Sequence, residues 1–269
     1  MLVRAENLDF RRWIDLICDM HIHTKYSCDS DMEMEAYCLE AITKGVHVIC
    51  FTEHIDYNIN DYGYGYYNAQ EFFKDFLQLK EKYQAKLTLL CGIEFAEPHL
   101  YQDKLAEYIK LPYDYILGSI HFWYEDMFPT HMLKAEIPAE ICYEYYWNEV
   151  LAAVKIGGFN ALAHIDFPKR YYDTLLLDTE KLHEICGEMV KNNICLEINT
   201  SSLRKNSTET MPDKEILSIY KFCGGKYITI GSDAHNVKEL SADYAYAKKL
   251  IDYFDFTEVI FKQQNRYAI

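Results

Sequence analysis

Short apolar runs alternate with longer segments of helical period along the chain. The runs fall at 16–21, 46–52, 87–95, 115–121, 160–165, 194–199 and 227–231. Apolar residues spaced three and four apart predict helices over 32–44, 69–84, 100–110, 138–156, 179–192, 212–222 and 237–254. Pro138 suits a first helical turn, where its missing N–H is not needed. Seven strand–helix units in alternation predict an α/β fold with a parallel sheet and right-handed crossovers. Such units suit a closed barrel or an open doubly wound sheet. No Pro/Gly/Ser-rich tract or short repeat interrupts them, so residues 1–269 read as a single domain.

Polar chemistry collects where the runs end. The first run ends in His21 and His23, the second in Glu53 and His54, the third in Glu94 and the fourth in His121. The fifth ends in His164, the sixth offers Glu197 and Asn199, and the seventh ends in Asp233 and His235. Strand residues i and i+2 share a face, so His21 and His23 make half of a metal site. A lone histidine beside an apolar run is usually a satisfied core or surface residue. Here six of the ten histidines stand at the expected strand C-termini, where parallel barrels gather their active sites. Imidazoles and carboxylates without thiolate suit zinc, manganese or iron in a hydrolytic site. The donors are too many for one ion and imply two or three divalent metal ions, with at least one bridging carboxylate.

The formal charge of −15 argues against nucleic acid, which would require a basic face. A small anionic substrate remains compatible, because metal ions reverse the local field. Nine cysteines, an odd number without a CxxC pair, suit a reducing, cytoplasmic setting, and Cys18, Cys50, Cys91, Cys142 and Cys195, which sit in apolar runs, read as buried small side chains. Arg4, Arg11 and Arg12 precede no continuous apolar segment, so neither a signal peptide nor membrane association is expected. A homo-oligomer is compatible with the sequence.

Together the motifs Asp19-Met20-His21-Ile22-His23-Thr24, Thr52-Glu53-His54, Gly92-Ile93-Glu94, Ser119-Ile120-His121, Ala163-His164-Ile165-Asp166 and Gly231-Ser232-Asp233-Ala234-His235 resemble the polymerase-and-histidinol-phosphatase (PHP) superfamily. The resemblance runs in order from about residue 17 to residue 240. It implies a distorted seven-stranded (β/α)7 TIM-like barrel with a trinuclear metal site. Ser27-Cys28-Asp29, His164 through Arg170, and Glu197 through Arg204 are most similar to the histidinol-phosphatase branch. That likeness implies His21, His23 and Asp233 on a first ion, with Glu94 bridging to a second completed by His121 and His164. Asp29, His54 and His235 would hold a third. Some members have histidine where Asp29 stands, which makes the third site harder in character. Glu53, where many members have Asp, is expected to support a ligand histidine.

The implied reaction is hydrolysis of L-histidinol phosphate, with a metal-bridging hydroxide attacking phosphorus in line. Glu94, Asp233, Arg170 and Arg204 form the expected catalytic set. Arg170, Arg204, Lys169 and Asn199 form the expected substrate-binding set, since arginine captures phosphate in bidentate fashion. Asp233 and His235 are candidates for proton transfer to the leaving group. The tyrosine-rich loop 56–68 follows the second strand and is a candidate lid. The alternatives are a PHP-type phosphoesterase acting on nucleotides or other small phosphomonoesters, a deaminase or amidohydrolase, and a non-catalytic metal-binding module. Amidohydrolase-type barrels usually bridge their metals with a modified lysine at the fourth strand end. Here that end holds His121, and the carboxylate Glu94 ends strand three.

Overall fold

The computed structural model describes residues 16–269 apart from Asp173 and Asn206, so Arg4, Arg11 and Arg12 lie outside the described residues. Seven strands run parallel: β1 (Cys18–Ile22), β2 (Val48–Ile55), β3 (Thr88–Ala96), β4 (Tyr115–Ser119), β5 (Ala161–Leu162), β6 (Cys195–Asn199) and β7 (Tyr227–Gly231). The helices between them are α1 (Met34–Lys44), α2 (Ala69–Tyr83), α3 (Gln102–Tyr108), α4 (Pro129–Lys134), α5 (Ala139–Ile156), α6 (Thr179–Lys191) and α7 (Lys214–Phe222), with α8 (Tyr244–Phe254) after β7. Two further strands follow, β8 (Thr257–Lys262), parallel to β7, and β9 (Asn265–Ala268), antiparallel to β8. The sheet therefore has nine strands in sequence order instead of the expected seven.

β7 has neighbours at both ends. Its first residues, Tyr227 and Ile228, pair with β8. Beyond its last residues the chain meets β1: His23 N–H donates to Ala234 O (2.9 Å) and Asp233 N–H to His21 O (2.8 Å). The join is an isolated parallel bridge between Ile22 and Ala234, so no continuous ladder closes the sheet into a barrel. It nevertheless sets the first histidine motif, His21 and His23, beside the last, Asp233 and His235.

The two faces of the sheet pack differently. Ile49, Phe51, Leu89, Ile93, Ile116, Leu196 and Ile230 join the large cluster shared with helix residues such as Tyr37, Phe72, Val150, Leu182 and Leu217. Each fully buried side chain of this size contributes about 1.5–3 kcal/mol. Val48 and Cys50, Leu90, Tyr115 and Leu117, and Cys195 alternate with these and form a second cluster with Val259, Ile260 and Phe261 of β8. Tyr115 stacks on Phe261 with ring centroids 5.3 Å apart. On this inner face the same strand parity continues to His54, Glu94, His121 and Glu197. The inner face is thus apolar where the strands begin and polar where they end. In β1 the order is irregular: Cys18 and Met20 enter the apolar cluster, and a register shift between Asp19 and Ile22 accompanies the turn of His21 toward the polar end.

The cysteines are free thiols. Among the described residues no helix is long and apolar enough to cross a membrane.

Candidate metal centre

The strand ends deliver their donors to one place. The parallel register sets His54 directly beside Glu94. Glu94, 1% exposed, is at the centre. Its Oε1 lies 2.9 Å from His164 Nε2 and 3.4 Å from His121 Nε2. Its Oε2 lies 3.2 Å from His21 Nε2, 3.5 Å from His23 Nε2 and 3.2 Å from His54 Nδ1. One carboxylate therefore addresses two sets of imidazoles with separate oxygens.

Three donor groups bring their ligand atoms within 4.8 Å of one another: His21, His23 and Asp233; His23, Asp29, His54 and His235; and His54, Glu94 and His121. The expected ligands are thus brought together, with two details that differ from the expected partition. His23 and His54 each belong to two groups. His164 enters through Glu94 and packs against His121, their ring centroids 5.4 Å apart.

Hydrogen bonds on the far ring nitrogens aim the near ones. His21 Nδ1–H donates to Glu197 Oε1 (2.6 Å). His23 Nδ1–H donates to Ser27 Oγ (3.1 Å), which donates onward to Glu53 Oε2 (2.7 Å). Glu53 therefore acts on His23 through Ser27. His235 Nδ1–H donates to Asp233 O (3.0 Å). These bonds leave Nε2 of each ring facing inward. There His21 Nε2 and His23 Nε2 stand 2.9 Å apart, and His235 Nε2 is 2.9 Å from Asp29 Oδ2. Acceptors this close need positive charge between them.

The protonation balance points the same way. Burial alone would lower His21, but Glu197, Glu94 and Asp233 raise it well above the ordinary imidazole value. Burial likewise opposes the charged form of His54, which Asp29 and Glu94 raise. Burial would raise Glu94, but His21, His54 and His121 hold it well below the usual carboxylate range. His23 is lowered to about 3, by burial first and then by His54 and His235. A buried, carboxylate-rich imidazole cluster of this kind suits divalent cations.

Backbone strain marks the same residues. His164 (φ 24°) and Asp233 (φ 55°) adopt left-handed conformations that non-glycine residues rarely take. Gly231 fits a different need, because a Cβ there would collide with Glu197 Oε1 and His21 Cβ. Gly231→Ala is expected to lower stability by about 1–3 kcal/mol in denaturant unfolding. Wild-type stability would contradict this packing.

The centre opens into a cavity of about 270 Å³ whose walls include Phe128, Phe167, Arg170, Tyr171 and Lys205. Arg170 Nη2 donates to Asp233 Oδ2 and to Ser201 Oγ, each at 2.7 Å. Its Nε is buried without a partner, and its guanidinium lies 5.0 Å over the Phe167 ring. The other expected substrate-binding residues do not line this cavity. Lys169 pairs with Asp166 Oδ2 (2.5 Å) and Thr210 O (2.5 Å). Arg204 Nη2 donates to Ser232 O (2.5 Å). Asn199 donates to Glu197 Oε2 (3.2 Å) and accepts from Ser201 Oγ (2.7 Å). Of the candidate lid, Tyr62 reaches the cavity, while Tyr57 packs near Phe95 and Tyr67 bonds Tyr113.

Several contributors were not singled out from sequence. Glu97 Oε1 accepts the backbone N–H of His121 (2.6 Å) and of Phe122 (3.0 Å). Asp19, buried, accepts from Ser232 N (2.9 Å) and Ser241 N (2.7 Å), fixing the turn after β7. Lys205 follows Arg204 at the same strand end, and its position there was the available signal.

A parallel α/β sheet that gathers imidazoles and carboxylates at its strand ends, in a cavity that also holds Arg170 and Lys205, defines a protein with a candidate polynuclear metal centre. The chain belongs to the PHP domain family, whose model matches residues 19–201. It is 30% identical to a probable histidinol-phosphatase of Clostridium acetobutylicum, over 93% of this chain and 98% of the relative. A histidinol-phosphatase of Lactococcus lactis is 27% identical over 90% of this chain and 92% of its own length. The crystal structure of a Lactococcus lactis histidinol phosphate phosphatase complexed with zinc, L-histidinol and phosphate superposes with a TM-score of 0.83. That match has 26% identity and covers 93% of this chain and 98% of the other.

Proposed function

We propose that this chain is a metal-dependent phosphomonoesterase that hydrolyses L-histidinol phosphate to L-histidinol and phosphate. The observation that carries the reading is Glu94, whose two oxygens face separate imidazole sets beside Arg170 in one cavity. The relatives' names and the zinc, histidinol and phosphate of the Lactococcus lactis structure support it. In this reading His21, His23 and Asp233 hold one divalent ion, His121 and His164 a second, and Asp29, His54 and His235 a third, with Glu94 between the first two. Zinc, manganese and iron all suit this donor set. When bound, such ions neutralise phosphate charge and lower the pKa of a nucleophilic water.

The chain's own groups do the positioning. Arg170 keeps Asp233 in place through Nη2 and has further N–H donors for phosphate oxygens. Arg204, bonded to Ser232 O, steadies the turn that carries Asp233. Phe128 and Phe167 narrow the cavity. We further read β1–β7 as the distorted seven-stranded (β/α)7 barrel, with the β8–β9 hairpin against the end where its strands begin. The free cysteines support a reducing, cytoplasmic setting.

The test is phosphate release from a panel of small phosphomonoesters by enzyme loaded with manganese or zinc. Histidinol phosphate is expected to exceed nucleotides in kcat/KM by about 100-fold or more, the scale of a few charge-assisted contacts. Equal rates would overturn the substrate, and no release from any ester would overturn the reaction class.

A further inference from the structure

Asp56 stands two residues beyond His54 and lines the same cavity as the metal donors. Its side chain is 7% exposed, and among the described residues it makes no hydrogen bond or ion pair. Asp61 and Cys28 bring their own donor atoms within 4.8 Å of it and of each other. Gly63 packs over all three. A Cβ there would lie 2.6 Å from Asp56 Oδ2, 2.9 Å from Cys28 Sγ and 3.1 Å from Asp61 Oδ1. Asp61 Oδ1 accepts the Gly63 backbone N–H at 2.6 Å, which fixes this arm of the loop against Asp56.

A buried carboxylate without a partner is costly, and the usual remedy is a cation. Among the described residues no lysine or arginine pairs with Asp56. Arg170 is engaged by Asp233 and Ser201, and Lys205 neighbours Arg170, Arg204, Asp233 and Glu239. Asp56 instead neighbours His54, Asp61, His121 and Glu94. The cavity thus carries two fixed cations, Arg170 and Lys205, and a separate anionic pair whose positive neighbours are imidazoles of the metal centre. Cys28 and two carboxylates are a poorly matched donor set for one metal ion, soft and hard together. An organic ammonium suits them better, since carboxylates accept its N–H groups and it requires no fixed coordination geometry.

We propose that Asp56, with Asp61, forms the subsite for a cationic nitrogen on the substrate's leaving group, so that the enzyme selects phosphorylated amino alcohols by their positive charge. This rests on the phosphomonoesterase reading above and adds the group that discriminates among esters.

The experiment compares an amino-alcohol phosphate with its isostere bearing hydroxyl in place of the amine, in wild type, Asp56→Asn and Asp61→Asn. Wild type is expected to prefer the amine in kcat/KM by about 10- to 100-fold. In Asp56→Asn the ratio collapses to within about threefold of unity, with the loss expressed in KM, and Asp61→Asn reduces it less. Calorimetric binding of the dephosphorylated amino alcohol and its amine-free analogue reads the same preference without turnover, and elemental analysis follows bound metal. An equal preference in wild type and Asp56→Asn overturns the subsite, as does its absence from wild type. Loss of a divalent ion in Asp56→Asn overturns it by making Asp56 a metal ligand. Wild type that hydrolyses neither ester sinks the phosphatase reading, and the binding preference still decides the subsite.

Discussion

Glu94→Gln is expected to reduce hydrolysis of the preferred phosphomonoester by at least about 1000-fold, because metal ions supply several kcal/mol of transition-state stabilisation. Bound metal is expected to fall in the same variant. Glu94 Oε1 faces His121 and His164, while Oε2 faces His21, His23 and His54. An amide in its place has one weaker acceptor and one donor, so one imidazole set loses its anionic partner. Phosphate release and elemental analysis on the same preparation give the readout. Glu94→Asp keeps the charge and is expected to retain more metal than the amide. Full occupancy and full turnover in Glu94→Gln would refute the bridging arrangement.

Arg170→Ala carries the second large effect, a loss of about 100- to 1000-fold in kcat/KM, the scale found when one preorganised donor to a developing charge is removed. Arg170 lines the cavity and bonds Asp233 and Ser201 through a single nitrogen, which leaves further N–H donors uncommitted. Burial opposes the Asp233 carboxylate, and Arg170 first and His21 second hold it ionised. Its removal therefore weakens both phosphate capture and an expected metal ligand. Arg170→Lys restores the charge without the planar fork and is expected to recover only part of the loss. Steady-state kinetics with metal content measured in parallel separates the two effects. Unchanged KM and kcat in Arg170→Ala would remove Arg170 from the site.

Where the chain's chemistry followed from local pattern, the sequence was informative. β2, α2 and β7 lie close to their expected bounds because apolar period and chain length agree there. The donors at the run ends were visible because histidine and carboxylate are out of place after apolar runs. The β8–β9 hairpin was not. Its apolar stretch Val259-Ile260-Phe261 is short, and its turn residues Gln263 (φ 49°) and Gln264 (φ 58°) lack the Asn-Gly pattern of tight hairpins. Asp114 compensates, with Oδ1 accepting Gln263 N–H (3.0 Å) and its backbone O accepting Gln264 N–H (2.9 Å). The expected helix 237–254 begins only at Tyr244, since Ser241 (φ 51°) and Asp243 (φ 59°) are left-handed. β5 is two residues long because the chain leaves the sheet before His164. Among cations after strand ends, nothing local separates Arg170, which faces the cavity, from Lys169, which is spent on Asp166. That distinction is set by partners distant in sequence.

The bridge between Ile22 and Ala234 has a consequence in time. Asp19 and Ser232, 213 positions apart, bond each other, and His21 meets Asp233 across the same join. During synthesis the first imidazoles emerge early and wait for nearly the whole chain before their carboxylate partner exists. Contacts of such long range close late and slowly. Until then His21 and His23 stand without their carboxylate partner. The site is therefore a record of finished folding: its donors meet in this arrangement only in a chain that has already brought its first strand to its seventh.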